Sequence, residues 1–208
     1  MVLLVDSSVD SVADTAFRSM FAARKSVFID LLKWNLPVLS GRYEIDQFDD
    51  PHARYLIITD NDHEHLASAR LLPTTRPHIL DTLFPALCDG QVPRGPRVWE
   101  ITRFCLGRQL RSAERRQIRN HLVSAIAIHA LETGIDTYTG VAEMAWLQQI
   151  LSFGWECRAL GEPLPNQGAL LGALEITITP ETPAGLAAGG VWSPIIAHEM
   201  PARRAANA

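Results

Sequence analysis

The run "RVWEITRFCL" (residues 97–106) constrains the fold more than any other stretch, because Val, Trp, Ile and Phe make it a half-buried strand while Glu100 and Arg103 put two ions in it. An ion in such a strand costs several kcal/mol unless the fold pairs it, so charge is kept there chiefly where chemistry or binding uses it. Glu100 and Arg103 are three residues apart, a spacing that sends them to opposite faces of a regular strand. A site that uses both requires a bulge or a splayed strand between them; the other reading is an inter-strand salt bridge.

The rest of the chain alternates helical and strand-like patterns around this run. From Ser11 to about Lys33, Val12, Ala16, Met20, Val27 and Leu31, joined by Phe17, Phe21, Phe28 and Leu32, recur at helical intervals, giving one long helix or two short ones ended by Pro37 and Gly41. "RYEIDQFDDPHA" reads as an irregular acidic connection; "RYLIITD" and "LASARLLPT", with Arg70 in the second, read as a hairpin over residues 54–74. "PHILDTLFPALCDGQVPRGP" reads as a loop with one short helix. Beyond residue 106, "QIRNHLVSAIAIHALETG" predicts a helix capped by Gly134, "IDTYTGVA" a strand, "EMAWLQQILSFG" a helix capped by Gly154, and "LEITITPE" a last alternating strand. The whole is expected to be one α/β domain over residues 1–208, with a weakly specified tail from about 180 that Trp192, Ile195 and Ile196 would pin.

Composition excludes several classes. With 47% hydrophobic and 20% charged residues the chain reads as an ordinary globular domain, and it lacks the roughly 18-residue apolar run of a membrane span. The opening has no basic flank and Asp6, Asp10 and Asp14 follow it, which is wrong for a signal peptide and gives a cytoplasmic expectation. Cys88, Cys105 and Cys157 suggest neither a disulfide framework nor zinc, and His63 with His65 reads as a solvated hairpin tip. His121 and His129 lie eight apart on a helix without a third ligand. Neither a metal nor a nucleic-acid partner is expected. Dinucleotide-binding, P-loop and nucleophile-elbow motifs do not occur.

Three constellations remain. Arg24 and Phe28 share a helix face, with Trp34 about two turns on, as a socket for a flat or cationic ligand or as ordinary core aromatics beside a surface arginine. Asp46 and Asp49, with Glu44 and Asp50 nearby, would hold a cationic substrate, orient Arg24, Arg70 and Arg103 in an ion-pair network, or simply be solvated. Arg108, Arg111, Arg115, Arg116 and Arg119 stand against only Glu114, as a patch for phosphates or an acidic partner or as a solvated helix face.

Taken together, "ARKSVFIDLLKW", "YEIDQFDD", "ASARLLPTTRPHILDTLFPAL" and "VWEITRFCL" resemble the motif set of the LuxI-type acyl-homoserine-lactone synthases over roughly residues 17–160. Arg24, Phe28, Trp34, Asp46, Asp49, Arg70, Glu100 and Arg103 each fall, in order, where that family has the same residue type. The resemblance implies an N-acetyltransferase-like fold, a three-layer α/β/α sandwich with a mixed central sheet and a V-shaped cleft. It implies that S-adenosylmethionine is N-acylated from a fatty acyl thioester on the phosphopantetheine arm of acyl carrier protein. Lactonisation then releases methylthioadenosine, with no cofactor besides these substrates.

On that resemblance Glu100 is the candidate base and, with Arg103, the catalytic pair, while Arg24, Phe28, Trp34, Asp46, Asp49, Arg70 and Phe104 form the S-adenosylmethionine site and its network. Backbone amides from Phe104 to Gly107 would polarise the thioester carbonyl. Ala142, Met144, Trp146, Leu147 and Ile150 would line the acyl pocket, with core packing as the other reading of the last four. Arg108, Arg111, Arg115 and Arg116 would dock the carrier protein. Ala142 stands about where relatives that favour 3-oxo chains often carry threonine, which favours unsubstituted or 3-hydroxy chains here. Acyl-CoA as donor, or another N-acyltransferase of this fold acting on a different amine, is the alternative.

Overall fold

A computed structural model describes residues 2–5 and 11–195. Eight strands form one sheet in the order β1-β4-β5-β6-β7-β10-β8, with β9 beside β10. They are β1 (Val2–Val5), β4 (Arg54–Thr59), β5 (His65–Pro73), β6 (Val98–Leu106), β7 (Thr137–Glu143), β8 (Glu156–Ala159), β9 (Leu164–Asn166) and β10 (Ala169–Thr177). Every pairing is antiparallel except β6 with β7, so the sheet is mixed.

Both faces of the sheet are covered, which is why β4 is apolar almost throughout instead of alternating. Leu56 and Ile58 join Leu122, Val123, Ile126 and Ala130 of α3 (Ser112–Thr133) in one core. Tyr55 and Ile57 point the other way, to Ala16 and Met20 of α1 (Ser11–Arg24) and Ile79 of α2 (Ile79–Leu83). These are the three layers. Gly134 ends α3 in the left-handed conformation expected of a C-cap, at φ 72°.

The helix expected to about Lys33 is α1 continued by a π-helical stretch, Lys25–Leu31, whose wider turn carries Phe28 inward. The acidic connection is not wholly irregular. β2 (Val38–Leu39) and β3 (Tyr43–Glu44) pair through a turn in which Ser40 and Gly41 both take positive φ, at 53° and 65°.

Two further expectations need correction. Gly154 does not cap α4 (Met144–Leu151), whose C-cap is Ser152; Gly154 sits at φ 99° where its backbone meets that of Gly185 too closely for a side chain. Gly185 belongs to α5 (Thr182–Ala188), a helix inside the segment read as a weakly specified tail. Leu186 and Val191 are buried there, and Trp192 and Ile195 pack on the main core, while Ile196 lies outside the described residues. The last strand, β10, alternates as expected over Leu174–Thr177, but it begins earlier, at Ala169, and buries Leu171 to Leu174 consecutively because both faces are covered there.

The sheet opens where it matters. β6 and β7 pair only from Val98 to Glu100 against Thr137 to Thr139 and then diverge. Gly140 stands in the angle, where a Cβ would come within 3.2 Å of the Ile101 carbonyl oxygen. On its other edge β6 gains a residue against β5: Ser68 faces Cys105 but Arg70 faces Thr102. This is the inferred bulge, and Arg103 lies in it at φ 50°.

Candidate active site

The bulge turns Arg103 to the face that carries Thr102, where three arginines and three carboxylates interlock. Arg24 donates from Nε to Glu44 Oε2 at 2.5 Å and forks onto both oxygens of Asp49 at 2.8 Å. Arg70 forks onto Asp46 at 2.6 and 3.1 Å and donates from Nε to Thr102 Oγ1 at 2.9 Å. Arg103 joins Glu44 at 3.0 Å to Asp46 at 2.6 Å. The six charges cancel, and the forks satisfy the geometry that makes buried ion pairs tolerable.

The network has an inside and an edge. Arg24, Glu44, Asp49 and Arg70 are almost fully buried, whereas Arg103 and Asp46 keep about 10% of their side-chain surface and border a cleft. Of the two roles considered for Asp49 and Arg24, support of Arg103 and Asp46 from beneath is the one the geometry favours. Burial alone would raise the carboxylate of Asp49, but the hydrogen bond and charge of Arg24, then Arg70, hold it well below its ordinary value. Asp46 is lowered in the same way, chiefly by Arg70 against its own burial.

Glu100 stands apart from this network at the point where β6 and β7 part. Its two oxygens accept the backbone N–H groups of Ile79 (2.8 Å) and Leu80 (2.9 Å) at the start of α2. Burial pushes its carboxyl up to about 8, against the opposing pull of those two N–H groups and of Arg70. A fully buried carboxyl that borders the cleft with such a value suits proton transfer near neutrality. Beside it in register is Thr139, whose buried Oγ1 has no partner among the described residues.

Phe28 and Trp34 stack at 5.0 Å and 11°, and the Arg103 guanidinium lies 5.7 Å from the Phe28 ring centre. Trp34 Nε1 donates across the cleft to Glu143 Oε1 at 3.1 Å.

The cleft encloses about 1060 Å³ and runs from these aromatics to an apolar end at Phe104, Trp146, Phe153 and Trp155. Phe104 contacts Trp146 at 5.1 Å and lines the same cleft as Phe28 and Trp34. Ala142, Trp146 and Ile150 line the cleft; Met144 and Leu147 instead turn to β10, packing over the missing side chain of Gly172. Arg108, Arg111, Arg115 and Arg116 are all exposed, and Arg115 and Arg116 border the cleft mouth. The Gly107 amide is not available to a carbonyl, since it donates to Leu66 O at 2.8 Å. His65 is buried within β5, Nε2 on Ser68 Oγ at 2.9 Å, rather than solvated.

Sequence reasoning passed over Thr102, Thr139 and Glu143, and named Glu44 only as a neighbour of Asp46. Its place in the network had a signal, since Glu44 stands two residues from Asp46 and so on the same side of an extended chain. For Thr102, Thr139 and Glu143 the signal lies only in the bulge and the splay.

Comparison with known proteins bears on this arrangement. The autoinducer synthase family model matches residues 8–181. An acyl-homoserine-lactone synthase of Pseudomonas fluorescens is 42% identical over 83 residues, a match that spans 39% of this chain and only 42% of that protein. One from Rhizobium etli is 32% identical over 166 residues, 78% of each chain. The solved structure of a CoA-dependent acyl-homoserine lactone synthase, MesI, superimposes with a TM-score of 0.83 at 26% identity, covering 96% of this chain and all of that one. An acyl-CoA N-acyltransferase of Pseudomonas aeruginosa is similar in fold alone, with a TM-score of 0.55 at 14% identity over 84% of this chain and 98% of that one. The three layers and the V-shaped opening are thus those of the N-acetyltransferase-like fold.

Proposed function

The chain belongs to the autoinducer synthase family, and from that premise we propose that it is an acyl-homoserine-lactone synthase using S-adenosylmethionine and a fatty acyl thioester. The observation that carries the reading is Glu100, a carboxyl pushed up to about 8, placed at the fork of β6 and β7 on the wall of a cleft with an apolar far end.

The chemistry follows from the two substrates. An α-amino group titrates at about 7.7 to 8.0, so near neutrality most of it carries the proton it must lose. Glu100, matched to it, takes that proton, and the amine nitrogen attacks the thioester carbonyl. An N–C bond forms, the C–S bond breaks and the thiol leaves with a proton. The carboxylate of the acylated intermediate then attacks the carbon attached to sulfur; that C–S bond breaks toward the sulfonium, and neutral methylthioadenosine departs. Both partners of this second step lie in one molecule, so orientation is the main demand. Arg103 and Asp46, held from beneath, orient the methionine end, and the apolar end takes the acyl chain.

Acyl carrier protein is the proposed donor, because Arg108, Arg111, Arg115 and Arg116 offer exposed positive charge to an acidic partner, and of these Arg115 and Arg116 border the cleft. Acyl-CoA is the second reading, favoured by the likeness to the CoA-dependent MesI. A cytoplasmic location belongs to the same proposal; no helix among the described residues is long and apolar enough to cross a membrane.

Expression in a host that makes no lactones, followed by mass spectrometry of solvent extracts, tests the function. A series of N-acyl-homoserine lactones is expected; soluble protein without lactones would move the assignment to another N-acyltransferase. Side-by-side turnover of the purified enzyme with acyl carrier protein and CoA thioesters decides the donor.

A further inference from the structure

Glu143 is the cleft carboxylate that the proposed mechanism leaves without a task. It ends β7, borders the cleft and accepts Trp34 Nε1 at 3.1 Å. Among the described residues no arginine, lysine or histidine pairs with it, unlike Asp46, which is shared by two arginines.

Strand parity fixes the side on which it acts. Glu100 lies beside Thr139 in the parallel pairing, so Thr139, Val141 and Glu143 share the face of Glu100. Val141 accordingly packs in the cluster of Leu80, while Ala142 turns to the α3 side. Glu143 therefore belongs to the nucleoside-substrate side of the cleft and not to the acyl side.

Length fixes which part of the substrate it meets. Thr139 and Glu143 are four residues apart, about 13 Å along the strand. With the amine at Glu100, the sulfonium is four bonds away, at most ~6 Å. It cannot reach the level of Glu143. The adenosine beyond it can, and it arrives there beside the Phe28–Trp34 stack. The groups it presents are a base and two vicinal ribose hydroxyls, and a carboxylate at a ribose is a recurring device for nucleoside recognition.

We propose that Glu143 is a substrate-binding residue whose carboxylate accepts the ribose hydroxyls of the S-adenosyl group while holding the indole of Trp34. The proposal rests on the lactone-synthase reading for the identity of the nucleoside.

The test uses methylthioadenosine, which has the nucleoside and no charge, and its 2′-deoxy analogue, with binding to the full-length protein measured by calorimetry. The wild-type protein is expected to prefer the hydroxylated ligand about tenfold, the effect of one charge-assisted hydrogen bond. Glu143→Ala is expected to bind the two equally. Glu143→Gln, which keeps an acceptor for Trp34, is expected to lose most of the preference, and its KM for S-adenosylmethionine is expected to rise while that for the acyl donor stays unchanged. If Glu143 only anchors Trp34, both ligands weaken together in Glu143→Ala, the ratio persists and Glu143→Gln behaves as wild type; that result overturns the proposal. Lactone formation by the same wild-type preparation separates the two ideas. Turnover with an unchanged ratio removes only the role of Glu143, whereas neither turnover nor nucleoside binding removes the function beneath it.

Discussion

Arg103 reaches Asp46 at 2.6 Å from a backbone held at φ 50°, a conformation that side-chain-bearing residues adopt rarely and at a cost of about 1–3 kcal/mol. The bulge that imposes this strain also rotates Arg103 toward Glu44, so one guanidinium joins the buried Glu44 to Asp46 at the cleft edge. Lysine has no fork with which to do both. Arg103→Lys is expected to lower kcat/KM for S-adenosylmethionine roughly ten- to hundredfold, the worth of one or two charge-assisted bonds. Steady-state kinetics within twofold of wild type would contradict the role given to the fork.

Glu44 is fully buried between Arg24 and Arg103. Removing one partner of a buried set leaves uncompensated charge, at a cost of about 3–5 kcal/mol. Glu44→Ala is expected to shift the urea unfolding midpoint accordingly, and Glu44→Gln, which keeps an acceptor, to shift it less. A loss below about 1 kcal/mol in Glu44→Ala would mean that water or a rearranged Asp46 satisfies both arginines.

How much of this was readable in advance divides along physical lines. The hairpin of β4 and β5, α3 and its Gly134 cap were legible because each depends on local periodicity and turn chemistry. The bulge at Arg103 was legible only as a requirement: two ions three apart on one strand must be reconciled if they serve one site. α5 was hidden because its sequence, TPAGLAA, is poor in large apolar residues; the helix is held by close backbone contact at Gly154 and by the single buried Leu186. The division of the network into buried support and cleft edge was hidden too, since depth is a tertiary property. The contact of Phe104 with Trp146 was hidden for the same reason, because it follows from the bulge that turns Arg103 the other way.

The Glu100 carboxyl is expected to leave a signature in the pH profile. Activity needs it ionised, so kcat/KM should climb with unit slope toward about pH 8, where burial places its titration. Loss of the amine proton from free substrate then bends the profile over. Stability moves the opposite way. A carboxyl raised from 4.5 to about 8 stays protonated in the folded chain while the unfolded chain ionises, so its favourable contribution is complete below 4.5 and declines as pH rises to about 8. Glu100→Gln should abolish the activity limb, slow acylation strongly and remain folded. Normal turnover by the purified variant would remove Glu100 as the base.

Arg115 has a structural task, since it donates to the Gly107 carbonyl at 3.1 Å, so a charge-reversal test of the basic patch is cleaner at Arg111 and Arg116, both exposed. Arg111→Glu with Arg116→Glu is expected to raise the KM for acyl carrier protein by tenfold or more at low salt and progressively less as salt screens the encounter. The KM for S-adenosylmethionine should not move. An unchanged carrier-protein KM would transfer weight to the CoA reading.

Ala142 faces the α3 side of β7, buried, bordering the cleft near Trp146 and Ile150. Its neighbour across the sheet is Gly172, whose missing side chain is already taken up by Leu147 and Met144, so a larger residue at 142 can expand only toward the cleft. A threonine there would place a hydroxyl along the path of the acyl chain, where a 3-oxo group in an otherwise apolar wall has no donor and its burial is costly. Ala142→Thr is therefore expected to raise the proportion of 3-oxo lactones among the products by about tenfold, for a fold cost of about 1 kcal/mol or less because the added atoms enter open space. Mass spectrometry of products formed from matched 3-oxo and unsubstituted donors measures the ratio. If wild type already favours 3-oxo chains, the donor must come from a residue other than 142.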